Sequence, residues 1–161
     1  MAEGDLTNTA AEIAERIGRA ALEKGLQVAV AESLTSGAIA SQLGAARSSS
    51  TWFAGGVVAY AAETKFRVLN VDPGPVANAR CAVQMAKGCR KLIGADLVVA
   101  VTGVGGPEPE EGHPPGTVYA AVSSAAGEKV DQHKFDGDPS QVVAEATAGA
   151  LQMLATALER L

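Results

Sequence analysis

The stretch that decides the fold is VAVAESLTSGAIASQLG, Val28 to Gly44. A Val/Ala run stops at an acid and a hydroxyl, Glu32 and Ser33, and small residues lead into a helical pattern ended by Gly44. A short apolar run bounded by turn signals reads as a buried strand, and the change to helical spacing marks a strand-to-helix elbow. Ser33 at such an elbow has two readings. It is the cap of the following helix, accepting a bond from an orphan amide, or it is held at a strand edge for chemistry.

Working outward, TAAEIAERIGRAALEK (9–24) has Ile13, Ile17, Ala20 and Ala21 at helical spacings and stops at Gly25. Residues 1–8 are expected to be a flexible N-terminus. TWFAGGVVAYAAE (51–63) is strand-like, and its Gly55–Gly56 pair permits a bulge or a close approach of backbone or ligand. TKFRVLNV (64–71) suits a short helix. PVANARCAVQMAKGCRKLIG (75–94) suits a long one with Pro75 near its first turn. ADLVVAVTGVGGP (95–107) is a Val-rich strand running into a glycine loop, and PEPEEGHPP (107–115) an acidic, proline-rich surface loop. Residues 116–137 form a hairpin turning at Ala125–Gly127. The last helix starts with Asp138 as N-cap and Pro139 at its first position. Strands separated by helices, with one late hairpin, predict a single α/β domain over 1–161: a mixed β-sheet in a three-layer α/β/α sandwich.

The bulk composition narrows the function. In 161 residues, 47% are hydrophobic and 19% charged, the range of a folded domain with one core. The net charge of −5, without a basic block, argues against nucleic acid or an anionic membrane as partner. Cys81 and Cys89 on one helix would stand roughly 12 Å apart, beyond the 7 Å or so a disulfide spans. With no signal peptide, this predicts a reducing, cytoplasmic setting. His113 and His133 have no ligand cluster about them, so neither metal nor cofactor is expected.

Sites in such sheets form beyond the carboxyl ends of the strands. Three segments put polar residues there: Glu32 to Gly37, Tyr60 to Lys65, and Thr102 to Pro107. A serine needs a base, and neither histidine follows a strand end beside Ser33. A desolvated lysine gives up its proton more readily, which nominates Lys65, with Tyr60 to relay a proton or hold the amine. Gly103, Gly105 and Gly106 could converge amides on a ligand, although their spacing fits neither a Walker loop nor a dinucleotide fingerprint. The plain alternatives are a capping serine, a solvated lysine, a core tyrosine and an ordinary turn.

AESLTSG, FAGGVVAYAAETK…LNV and ADLVVAVTGVGGPE…PPGTVYAAV, in this order and spacing, resemble the CinA C-terminal domain family, across roughly Ala11 to Leu158. The resemblance implies an α/β/α fold. It also implies hydrolysis of the carboxamide of nicotinamide mononucleotide to nicotinate mononucleotide and ammonia, a pyridine-nucleotide salvage step. It places catalytic roles on Ser33, Tyr60 and Lys65. Substrate contacts are expected from Glu32, Thr35, Ser36, Gly37, Gly55, Gly56, Thr102, Gly103, Gly105 and Gly106. The partner is then a small nucleotide, and Ala-rich helices with small faces favour a homo-oligomer. Relatives often carry a further N-terminal domain, and this chain has the look of the stand-alone form. It departs from the family at Leu34 and Ser36, where A-E-S-C-T-G-G is usual, and at Ala61 and Ala62, where Y-S-N-E-A/V-K is usual. Thr102–Pro107 replaces S-G-I-A-G-P. Gly137-Asp138-Pro139-Ser140-Gln141-Val142-Val143 lacks both arginines of a G-D-R…I-R pattern. If those arginines hold the phosphate, each loss costs about 1.5–3 kcal/mol of binding. A catalytically weakened nucleotide-binding paralogue is the alternative reading.

Overall fold

The alternation of valine and alanine in the central strands assigns the two faces of the sheet. The computed structural model describes residues 3–161. β1 (Val28–Glu32) lies between β2 (Phe53–Val58) and β3 (Leu97–Gly103), parallel to both, and β4 (Thr117–Ser124) and β5 (Gly127–Lys134) continue the sheet antiparallel, in the order β2-β1-β3-β4-β5. Successive strand side chains point to opposite faces. Val28, Val30, Leu97, Val99 and Val101 therefore meet α1 (Glu3–Lys24), α2 (Ala38–Ala45) and α6 (Pro139–Glu159) on one side. Ala29, Ala31, Val98, Ala100 and Ala121 meet α5 (Ala79–Ile93) on the other. The result is the expected three-layer α/β/α sandwich with a mixed sheet, in a single domain.

Small residues let these layers close. A Cβ on Gly18 of α1 would stand 2.9 Å from the fully buried Trp52 ring, and one on Gly88 of α5 would meet the Leu69 carbonyl at 1.9 Å. Each fully buried Leu, Ile or Val then contributes about 1.5–3 kcal/mol of transfer free energy.

Several boundaries differ from the sequence expectations, and others fall where expected. α1 begins at Glu3, so residues 3–8 are helical, and Leu6 and Ala10 are buried against the core; Met1 and Ala2 lie outside the described residues. Residues 49–52 form a one-turn helix, α3 (Ser49–Trp52), which delays β2 to Phe53. The strand ends at Val58, and α4 (Ala62–Val68) follows after a short link. The long helix leaves Pro75 outside: Asn78 is its N-cap, accepting from the Cys81 amide at 2.8 Å. The hairpin turns through Ala125 and Ala126. Asp138 caps α6 with Pro139 inside it, reinforced by the Asp138 amide donating back to the Gln141 side-chain oxygen. Cys81 and Cys89 are free and buried.

Candidate active site

The parallel strands β2, β1 and β3 deliver their carboxyl ends side by side, which brings the three nominated segments together. The Ala59 amide donates to the Glu32 carbonyl at 2.8 Å, tying the end of β2 to that of β1. β1 and β3 are in register at Ala31 and Ala100, so Ser33 and Thr102 occupy equivalent steps at their ends. The turn after β1 is built from local bonds: the Ser36 amide donates to Ser33 O at 3.1 Å and the Ala38 amide to Thr35 O at 2.9 Å. Ser36 and Gly37 both take positive φ, 51° and 102°. The first is unfavourable for a residue with a Cβ. The site therefore holds local strain at the position where the sequence departs from a glycine.

The structure separates the two readings of Ser33. α2 has Gly37 at its N-cap position with no side-chain cap there, and the capping oxygens come from Glu32 instead. Its carboxylate is fully buried and accepts from the Ile39 amide at 3.0 Å and the Ala40 amide at 2.9 Å. A carboxylate at a helix start satisfies orphan donors and meets the positive end of the helix dipole. Ser33, 6% exposed at the elbow, is relieved of capping. Glu32, expected beside the substrate, is a structural anchor of the turn.

Lys65 is buried, only 2% exposed, and its Nζ donates to the backbone carbonyl of Tyr60 at 2.9 Å. The main chain of Tyr60 holds the amine, whereas its phenol side chain is on the surface, 67% exposed. The expectation that the Tyr60 side chain steadies the lysine is corrected accordingly. Burial lowers the Lys65 pKa below the ordinary lysine value, because charge is costly to desolvate; Cys81, Glu111 and Glu110 oppose this in part. Among the described residues no hydrogen bond joins Ser33 to Lys65.

Thr102 Oγ1 donates to Val76 O at 2.8 Å, and Cys81 lies buried at the start of α5. Burial pushes that thiol up, and the nearby Lys65 charge only partly offsets the push. Thr35 is 2% exposed, and its Oγ1 has no hydrogen-bond partner among the described residues. Gly103 is a packing glycine: at φ 153° a Cβ would stand 2.3 Å from Thr117 O. Gly105 faces Leu34 and Gly106 lies between Pro115 and Pro139, so the glycine loop bridges the elbow and the start of α6.

Gly55 and Gly56 do not reach the site. They pair with Ala29 and Val30 in the body of the sheet, beside a register shift, and a Cβ on Gly56 would meet Val30 O at 2.4 Å. They serve the bulge and close approach that their sequence permits, not a ligand. Sequence reading in turn missed Glu111 and Cys81. Glu111 looked like solvent-facing loop, yet its carboxylate accepts from the amides of Val76 (2.9 and 3.1 Å) and Ala77 (2.8 Å) and is felt at Lys65. Only its place in an acidic run could have drawn notice. Among the described residues no group of three or more His, Cys, Asp or Glu side chains is placed to hold a metal, and no helix is long and apolar enough to cross a membrane.

The same architecture occurs in known proteins. The chain is 38% identical to a CinA-like protein of Geobacter sulfurreducens over 160 residues, covering 96% of this chain and 38% of that one. It is 39% identical to a CinA-like protein of Geobacter metallireducens, covering 78% of this chain and 32% of that one. This chain thus spans roughly a third of the length of those relatives. The crystal structure of a competence-damaged protein (CinA) superfamily protein from Klebsiella pneumoniae superposes with a TM-score of 0.90 at 32% identity, covering 94% of this chain and 99% of that one. The competence/damage inducible protein CihA of Agrobacterium tumefaciens gives 0.88 at 30%, covering 94% and 96%. The profile of the CinA C-terminal domain matches residues 10–158, and with these sequence and structural likenesses it shows that the chain belongs to the CinA C-terminal domain family.

Proposed function

We propose that the chain is an amidohydrolase of the Ser–Lys type acting on a nicotinamide-type carboxamide, the family resemblance pointing to nicotinamide mononucleotide. The observation that carries this reading is the buried Lys65. Desolvation favours its neutral form, and from α4 it reaches back to Tyr60 O just past the end of β2, which pairs with the strand that delivers Ser33. An ordinary surface lysine would have neither property.

In the reaction, the Lys65 lone pair takes the Ser33 hydroxyl proton as Oγ bonds to the carboxamide carbon. The amides of Thr35 and Gly37, which form no bond within the described chain, face the oxyanion, since the Ser36 amide is already committed to Ser33 O. The C–N bond then breaks and the Lys65 ammonium returns the proton to the leaving nitrogen, releasing ammonia. Water, deprotonated by the same amine, attacks the ester, and Ser33 recovers its proton as the carboxylate leaves. Ser33 and Lys65 would tighten onto each other around bound substrate, as catalytic hydrogen bonds commonly do. The test is ammonia release from nicotinamide mononucleotide and related amides by the purified chain. Ser33→Ala and Lys65→Met should each lower turnover by a factor on the order of 10³ or more, and undiminished turnover in Ser33→Ala refutes the nucleophile.

The second reading, a nucleotide-binding paralogue with weakened chemistry, is favoured by the positive φ of Ser36 and by the missing Ser33–Lys65 bond. Nucleotide binding without turnover would select it.

A further inference from the structure

The end of the sheet away from Ser33 carries a second cavity that the proposed chemistry does not use. Ser123 pairs with Val98 and Ser124 with Leu97, which sets this end of β4 beside the start of β3. Ser33 follows the last residue of β1, which runs parallel to β3, so the two places lie at opposite ends of the strands. The cavity has a volume of about 1190 Å³. Residues 68–72, the second half of α5, the turn before β3 and the β4–β5 hairpin bound it, with room for a small organic molecule.

Two polar groups in its wall are left without a partner. Ser123 is 1% exposed and Arg90 Nε is buried, and neither the serine hydroxyl nor that Nε–H finds a hydrogen-bond partner among the described residues. Buried polar groups in folded proteins are nearly always paired, so both mark a place where something outside the chain completes the bonding.

The charges around them point the same way. Each acid in the wall is already engaged: Glu128 pairs with Lys87 at 3.7 Å, Asp72 accepts from the Gln84 side chain at 2.8 Å, and Asp96 accepts from the Gln27 amide at 2.8 Å. Arg90 and Lys91 belong to no ion pair among the described residues. Their place in the last turn of α5 suits the helix dipole. That accounts for two positive charges there, but not for a guanidinium Nε–H buried without an acceptor. A guanidinium only donates, so water or an oxyanion must complete it. Water leaves both positive charges unmatched, whereas an oxyanion answers the charges and the donors together. Beside them the rim exposes Val68 and Leu92, an apolar surface for an organic group.

We infer that this cavity binds phosphate monoesters. Arg90 Nε–H and the Ser123 hydroxyl donate to the phosphate oxygens, Lys91 supplies a second positive charge, and the organic part lies against Leu92 and Val68. The inference is independent of the amidohydrolase reading, because none of these residues takes part in that chemistry.

The experiment titrates the isotopically labelled full chain with inorganic phosphate and with phenyl phosphate, followed by NMR, in which the Arg90 Nε–H resonance reports the bond directly. Both probes should shift that resonance and the amides of Ser123 and Leu92, with phenyl phosphate the tighter. Arg90→Lys keeps the charge but not the Nε–H, and should weaken phenyl phosphate about tenfold or more, the size of one charge-assisted contact. Lys91→Gln, at an exposed position, should weaken it by a smaller factor and leave the fold intact, so the assignment stays testable if Arg90→Lys unfolds. No shift at this end of the molecule with millimolar probe, or shifts confined to residues around Ser33, overturns the inference. So does an affinity unchanged by Lys91→Gln, or by Arg90→Lys in a folded protein. Inorganic phosphate binding as tightly as phenyl phosphate overturns the monoester assignment.

Discussion

Which residue caps α2 can be decided by two substitutions at adjacent positions, Glu32→Ala and Ser33→Ala. The Glu32 carboxylate is fully buried and accepts from two amides, Ile39 in the interior and Ala40 at its edge. An unsatisfied buried donor costs about 1–3 kcal/mol. The interior amide bears most of that, and the edge amide recovers part of it from water. Glu32→Ala should therefore destabilise by about 2–4 kcal/mol. At an m-value near 2 kcal/mol per molar urea, the unfolding midpoint falls by about 1–2 M with its slope unchanged. Glu32→Gln keeps one acceptor and turns its NH₂ toward the second amide, so its loss should be intermediate. Ser33 caps nothing, and Ser33→Ala should change stability by no more than about 0.5 kcal/mol, a midpoint shift of about 0.25 M or less, while turnover collapses. Urea unfolding followed by circular dichroism reads all three. A Ser33→Ala loss equal to that of Glu32→Ala, or a Glu32→Ala loss below about 1 kcal/mol, would refute the assignment.

The remaining predictions concern the lysine and the glycine loop. Burial depresses the Lys65 pKa, so activity should rise with pH as the amine loses its proton, on a limb lying below the ordinary lysine range. Glu110 helps hold that proton, so Glu110→Gln should move the limb to lower pH in a kcat/KM profile; a shift upward contradicts the electrostatics. The unfolded chain binds this proton more readily than the folded one, so stability should grow with pH between the folded pKa of Lys65 and the ordinary lysine value. Lys65→Met should abolish both the activity and this pH dependence while leaving the protein at least as stable at neutral pH, measured by urea unfolding. Gly103→Ala should cost more than about 2 kcal/mol, because a Cβ there meets Thr117 O at 2.3 Å in a backbone conformation that side chains avoid.

The strand–helix alternation was legible because its signals are local. The Val/Ala strands, the Asp138–Pro139 helix start and the Ala125–Gly127 turn each follow from a few neighbouring residues, and each stands where expected. Boundaries went astray where a distant partner decides them. Pro75 would open a helix, but the amides of the next two residues belong to Glu111, 34 to 35 positions away, and the helix starts only after Asn78 supplies the cap. The short helix before β2 similarly owes its place to Trp52, buried where α1 offers Gly18 as a recess.

At the site, chemistry-bearing residues were visible by type and by their place after strands, whereas the division of labour among them was not. Glu32 and Ser33 are adjacent, and both residue kinds can satisfy a helix start. In an extended strand their side chains leave on opposite sides, so only one of them faces the incoming α2. Burial settles which: with Val28 and Val30 on the α2 side, the alternation puts Glu32 there too, and the carboxylate spans the distance to amides seven and eight residues on. The consequence reaches the chemistry. A serine bound to the helix start would have its lone pairs turned toward amides, a poor posture for attack. By taking those amides, Glu32 leaves the Ser33 oxygen free for a proton acceptor, and it closes the same amides to any anionic ligand. One side chain thus holds the turn at the start of α2 and leaves the neighbouring hydroxyl unengaged by that helix.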